Sequence, residues 1–144
     1  MHLFLDFDGI INSTAFYIER ESKSQMFCTK RIGWLNALCR ALPDLKIVIS
    51  STWRKNHTLV ENNAMLAEYG AEFQAVDQTP VIHPGCRGDE VKAYCTQHGI
   101  TNYAIVDDDS DFLPEQLPRC VFVDGYWGLS PNTCYRIKNI LTKG

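Results

Sequence analysis

The sequence predicts an α/β fold, a parallel sheet with helices on both faces. Three observations predict it. Residues 2–7, 45–49, 103–106 and 120–123 form short apolar runs with little polar alternation, as in strands buried on both sides. Stretches of helical period separate most of these runs. Each run delivers polar or acidic residues at its carboxyl end: Asp6 and Asp8, Ser50 and Ser51, Asp107 to Asp109, and Asp124.

Residues 2–7 read as a buried strand that Asp8-Gly9 turns away from the sheet. Residues 12–27 fit no clean period and read as a loop or small flap. Trp34, Leu35, Leu38, Cys39 and Leu42 place one apolar stripe on a helix over 30–42, with Pro43 as its stop. Residues 45–49 form the second strand, interrupted only by Lys46. Residues 55–69 read as a helix with Leu59, Val60, Met65, Leu66 and Tyr69 inward and Gly70 at its end. Residues 71–82 hold a short strand or an irregular segment, and Pro84-Gly85 is a turn. Residues 87–98 form a helix with Asp89 and Glu90 in its first turn and Val91, Tyr94 and Cys95 inward. Strands over 103–106 and 120–123 follow. Ser130-Pro131 is a cap and first-turn signature for a last helix carrying Cys134, Ile137 and Leu141 inward. Neither a repeat nor a composition shift is visible. Residues 1–144 therefore read as a single domain with a small flap around 10–30.

At 144 residues the chain has the common size of one domain. Such a chain buries roughly 68–70% of its unfolded surface, enough for a core without disulfide staples. A hydrophobic share of 45% with 22% charged residues excludes disordered, collagenous and coiled-coil classes. No apolar run reaches the roughly 18 residues of a membrane span. Met1 to Leu5 meets Asp6 too soon for a signal peptide. A cytoplasmic location and no membrane partner are the expectation. Cys28, Cys39, Cys86, Cys95, Cys120 and Cys134 make no CxxC pair and read as mostly buried thiols. The net charge is -3. That argues against a protein held to nucleic acid mainly by backbone charge, while a local patch stays compatible with it.

Ligands of open α/β sheets bind at the carboxyl ends of the strands. Asp6 and Asp8 are two apart, so both share a face if the strand runs on, and Gly9 permits a close turn. By itself that string is also an ordinary strand-end turn. Asp107, Asp108 and Asp109, with Asp111 just beyond, add more acid to the same rim. Crowded carboxylates repel one another, and a hard cation such as Mg2+ relieves the repulsion. The plainer alternative is a solvated acidic loop. A metal held by carboxylates beside a free aspartate suits phosphoryl transfer. Asp6 is placed to attack phosphorus, and Asp8 to protonate the leaving oxygen and then activate water. The Ser50 hydroxyl and the Arg87 cation would complete a phosphate clamp.

Four stretches carry a family resemblance. They are Asp6-Phe7-Asp8-Gly9; Ile47-Val48-Ile49-Ser50, with Ser51 as the rival register; Arg87 near a helix start; and Ala104-Ile105-Val106-Asp107-Asp108, with Asp111 nearby. In this order they resemble the motifs of the haloacid dehalogenase-like (HAD) hydrolase superfamily. The resemblance implies a three-layer Rossmann-like, HAD-like fold. It also implies Asp6 as nucleophile, Asp8 as acid and base, and a Mg2+ ion. That ion would be held by the Asp6 carboxylate, the Asp8 backbone carbonyl and Asp107 or Asp108. Arg87 stands where a lysine is usual, which keeps the charge and changes its geometry. Ser50-Ser51-Thr52-Trp53-Arg54, the triple aspartate and Asp124-Gly125-Tyr126-Trp127-Gly128-Leu129-Ser130 are similar to a compact branch of that superfamily. The branch is met in phage-like and multifunctional RNA-repair proteins.

Residues 10–30 and 54–86 leave no room for a large cap, so the site is expected to be open. An open site suits a bulky substrate, such as a phosphorylated polymer end or protein, over a small metabolite, unless homo-oligomerisation covers it. A nucleotide or nucleic-acid end is a candidate phosphorylated partner. Gly9, Ser51 and Arg54 are the candidate substrate contacts, Arg54 for its planar fork. Trp53 either packs on the core or shapes the rim. Tyr126 and Trp127 either stack on a base or close the flap. Lys23, Lys30 and Arg31 read as surface charge, with guidance of an anion as the sharper alternative. His2, His57, His83 and His98 show no zinc-ligand spacing. Two other function classes compete: a phospho-accepting receiver-like module and a non-catalytic binding protein on the same fold. The early DxDG and late acidic cluster run against receiver order.

Overall fold

A computed structural model describes residues 1–143. Five parallel strands lie in the order β3-β2-β1-β4-β5. They are β1 (His2–Leu5), β2 (Lys46–Ile49), β3 (Ala75–Gln78), β4 (Tyr103–Asp107) and β5 (Cys120–Phe122). Five helices connect and follow them: α1 (Thr14–Glu19), α2 (Thr29–Ala41), α3 (Leu59–Glu68), α4 (Arg87–His98) and α5 (Pro131–Thr142).

The central strand explains why both faces are covered. On β1, Leu3 and Leu5 point into a cluster with Ile47, Ile49, Ala104 and Val106, closed by Ile32, Leu35 and Leu38 of α2 and Ile137 and Leu141 of α5. Phe4 points the other way and packs with Val48, Ile105, Val91 and Tyr94, so α4 covers the second face. The period-two alternation of a strand thus feeds two cores, and unbroken apolar sequence follows from it. The chain winds outward from β1 to β3, then returns to β4 on the other side. The sheet therefore reverses its winding between β1 and β4, where a crevice opens at the strand ends. The expected three-layer Rossmann-like architecture with helices on both faces is the observed one.

Three local readings change. Residues 12–27, expected as an aperiodic flap, contain α1, whose first turn is capped by the Ser13 hydroxyl accepting from Phe16 N–H at 3.0 Å. The helix expected over 55–69 begins later: Thr52–Lys55 is a 3-10 turn, and a capping box between Thr58 and Glu61 starts α3. Val60, expected inward, is 78% exposed. It lies in that first turn, on the face opposite buried Leu66 and Asn62. The segment 71–82 contributes β3, and a 3-10 turn at Pro114–Arg119 leads into β5. Among the described residues no helix is long and apolar enough to cross a membrane.

Candidate active site

The rim at the β1–β4 crevice is built by strand ends. Asp6 follows β1 and is 4% exposed; Asp107 ends β4 and is fully buried. Parallel pairing of Leu5 with Val106 brings the two aspartates side by side. Asp108 is the next residue, on the exposed side. One carboxylate oxygen from each of Asp6, Asp107 and Asp108 lies within 4.8 Å of the other two. Three hard oxygen donors at that separation fit a Mg2+ ion. The cluster includes both Asp107 and Asp108, which the sequence left as alternatives. The Asp8 carboxylate is outside it, so a metal role for Asp8 is restricted to its backbone carbonyl.

Two glycines shape this cluster. A Cβ on Gly9 would lie 2.2 Å from Asp108 Oδ2 and 2.4 Å from its Cγ, and φ there is +83°. A Cβ on Gly125 would lie 2.7 Å from the same oxygen. The Asp108 carboxylate therefore rests against two bare backbones, one from each side of the crevice. Gly9 serves the site in this way rather than as an open substrate contact.

Arg87, the first residue of α4, reaches between the buried acids. Its Nη1 is 2.6 Å from Asp107 Oδ2 and 3.2 Å from Asp6 Oδ2. Asp107 Oδ1 accepts from Asp109 N–H, and Asp6 Oδ1 accepts from Phe7 N–H, both at 2.9 Å. Burial pushes Asp6 up to about 8, the negative charge of Asp107 adds to the rise, and Arg87 opposes it. Burial raises Asp107 as well, against the pull of Arg87.

Asp6 titrates above its ordinary 3.8, so between 3.8 and about 8 the folded chain holds a proton that the unfolded chain releases. The stability from this group is complete below that window and is lost as pH rises through it. In EDTA the melting temperature should fall from pH 5 to 8 more steeply than that of Asp6→Asn. Added Mg2+ should raise it more at pH 8 than at pH 6. A profile parallel to that of Asp6→Asn would contradict the shift.

The second strand end separates the two serines. Ser51 caps the 3-10 turn, its hydroxyl accepting from Trp53 N–H at 3.3 Å. The Ser50 hydroxyl is buried and has no partner among the described residues. Ser50 is thus the hydroxyl left for a ligand, and Ser51 has a structural task.

Arg54 corrects an expectation. Its side chain is 2% exposed and every arm is engaged. Nε donates to Thr79 O at 3.0 Å, Nη1 to Ser50 O at 3.0 Å and Ser51 O at 2.9 Å, and Nη2 pairs with Glu90 Oε1 at 2.7 Å. Glu90 Oε2 in turn accepts from Ile82 N–H at 3.0 Å. Arg54 holds the loops after β2 and β3 to α4 and offers no free donor fork to a phosphate. Arg31, expected as surface charge or an anion guide, instead donates to the Trp127 carbonyl and so anchors the loop after β5. Lys23 and Lys30 stay exposed, Lys30 over the Trp34 ring at 5.3 Å.

Asp8 stands on the exposed side of the rim. Tyr17 Oη donates to its Oδ1 at 2.7 Å and Trp53 Nε1 donates to its Oδ2 at 2.9 Å. Burial and the bond to Asp8 push the Tyr17 hydroxyl up to about 12, so it keeps its proton. Sequence reasoning missed Tyr17 because it lies in the segment read as a loop. The available signal was Ser13, an N-cap residue directly before α1. Beside Asp8, a cavity of about 480 Å³ is lined by Thr52, Trp53, Lys55, Asn56 and His57. Tyr126 and Trp127 are 44% and 64% exposed, with their rings edge to face at 4.7 Å. The carbonyls of Gly125 and Tyr126 accept from Thr14 and Ala15 N–H at 3.0 Å, so this loop also closes the start of α1.

A family described as the HAD domain in Swiss Army Knife RNA repair proteins matches residues 2–134. Comparison with curated proteins and with solved structures gives no match. The matched span includes every strand and every acid of the crevice. The order of the sheet, with its turning point between β1 and β4, agrees with that assignment and differs from the 2-1-3-4-5 order of receiver-type modules. The chain belongs to the family of HAD domains of Swiss Army Knife RNA repair proteins.

Proposed function

We propose that this protein is a Mg2+-dependent phosphohydrolase that removes phosphate from monoesters through an aspartyl-phosphate on Asp6. The observation that carries the reading is the convergence of Asp6, Asp107 and Asp108 within 4.8 Å, with Arg87 reaching between the two buried acids. A Mg2+ ion held by these carboxylates and the Asp8 backbone carbonyl would neutralise phosphate oxygens.

The chain's own residues supply the remaining steps. An Asp6 oxygen bonds to phosphorus while the ester P–O bond breaks, and the departing oxygen takes its electron pair and a proton from Asp8. Asp8 then accepts a proton from water as the water oxygen attacks phosphorus, which frees phosphate and restores Asp6. The unpartnered Ser50 hydroxyl holds a phosphate oxygen. Arg87 fixes Asp6 and Asp107 relative to each other and adds positive charge beside the reacting group.

A nucleotide or nucleic-acid end is the substrate class this reading favours. The family's RNA-repair context, the uncapped rim and the exposed Tyr126 and Trp127 rings support it. The test is phosphate release with Mg2+ from p-nitrophenyl phosphate and from 3′- and 5′-phosphorylated oligonucleotides. Release is expected from one oligonucleotide end at least, with loss in EDTA and recovery on adding back Mg2+. Turnover of mononucleotides alone would remove the polymer-end reading, and activity unchanged in EDTA would remove the metal.

A further inference from the structure

Both carboxylate oxygens of Asp8 are held, and by donors from different parts of the chain. Tyr17 comes from α1, and Trp53 from the 3-10 turn after β2. Each donor is anchored independently. The Trp53 indole packs against Phe7 and Phe27, with ring centroids at 5.6 and 5.0 Å, and its carbonyl accepts from His57 N–H at 3.1 Å. Tyr17 rides on a helix whose first turn is tied to the Gly125 and Tyr126 carbonyls and whose Phe16 is buried. An exposed aspartate beyond a strand end would otherwise move among several staggered rotamers. Here a phenol hydroxyl and an indole N–H, one on each oxygen, leave one arrangement. The indole is a donor only, so it specifies an acceptor at Oδ2.

We propose that Tyr17 and Trp53 are positioning residues that fix the Asp8 carboxylate for proton transfer with the leaving group. The inference rests on the hydrolase reading above. It places the leaving group on the Asp8 side of the rim, where the cavity walled by Trp53, His57, Lys55 and Asn56 provides room. Neither residue reacts, and each acts through Asp8. Misplacing a reacting group by about 1 Å costs on the order of 100-fold in rate.

The leaving group gives the test. An alkoxide is too basic to depart without a proton, whereas p-nitrophenolate departs unprotonated. A defect in Asp8 placement must therefore fall hardest on alkyl phosphates. The measurement is kcat/KM of the Mg2+-loaded protein for an alkyl phosphate and for p-nitrophenyl phosphate, in Trp53→Phe and in Tyr17→Phe. The ratio of alkyl to aryl kcat/KM is expected to fall by about 10- to 100-fold in each. In an Asp8→Asn background the same substitutions should leave the ratio where Asp8→Asn alone sets it, because their effect passes through the missing carboxylate. Equal losses on both substrates, a further loss in that background, or a gain in alkyl turnover would each overturn the inference. Tyr17 is exposed, so Tyr17→Phe carries the test even if Trp53→Phe unfolds. An unaltered protein that turns over neither these esters nor a 3′- or 5′-phosphorylated oligonucleotide overturns the hydrolase reading itself and takes the inference with it; equal losses with an active parent overturn the inference alone.

Discussion

Asp6→Asn is expected to abolish phosphate release, by on the order of 10³-fold or more in kcat, with the fold intact. The substituted side chain keeps its shape and still accepts from the Phe7 N–H. It loses the negative charge that burial and Asp107 destabilise, so the melting temperature should hold or rise near pH 8. What disappears is the oxygen nucleophile, and the other residues of the crevice have no way to replace it. Asp107 is fully buried and committed to Arg87 and the Asp109 N–H. Asp108 is pinned between Gly9 and Gly125. Deamidation would regenerate the aspartate, so the mass of the purified protein belongs with the assay. Activity within about tenfold of the parent, at the correct mass, would exclude Asp6 as nucleophile.

Arg54→Met should destabilise the protein by about 3–5 kcal/mol, the largest stability effect expected at any single position outside the hydrophobic core. The guanidinium satisfies carbonyls of Ser50, Ser51 and Thr79 and neutralises Glu90, whose side chain is only 9% exposed. Removing it strands a buried carboxylate and several buried carbonyls at once. For a chain of this size the loss corresponds to roughly 10–15 °C in melting temperature. Arg54→Lys should recover little, because an ammonium lacks the planar fork that reaches three directions. Adding Glu90→Met to Arg54→Met should restore part of the stability, since the stranded charge is then gone. A melting temperature within about 2 °C of the parent in Arg54→Met would show that the network contributes nothing. The effect on catalysis is indirect: Ser50 is held at the rim by the backbone this arginine grips.

Much of the site was legible from residue order. Asp6, Asp8, Ser50, Arg87 and the 107–109 run each follow an apolar segment or open a helix. Strand ends of a parallel sheet share one rim, so linear position translated directly into location. The α4 boundaries were equally readable, because Gly99 stops the helix at a left-handed residue and Asp89 and Glu90 suit its first turn. Side-chain duty was harder to read. Arg54 looked like a phosphate ligand because arginine after a strand-end serine suits that task. Only the approach of Thr79 and Glu90, 25 and 36 residues away, shows it turned inward. Tyr17 was hidden for the opposite reason: α1 is only six residues long, too short to display a helical period.

Over 71–82 residue order left a strand or an irregular segment open, but it marked β1, β2, β4 and β5, the burial on both faces that goes with a parallel sheet, and the set of acids that reach its edge. These follow from local apolar patterning and from the chemistry of single side chains, and neither requires knowing what lies opposite. The tertiary structure alone decided which acids meet and which groups are already taken. Register between β1 and β4 brought Asp6 to Asp107, bare backbones at Gly9 and Gly125 seated Asp108, and distant donors seized Asp8. Such pairings depend on distances of a few ångströms between segments far apart in the chain, and hydrogen bonding and charge pairing are lost beyond that range.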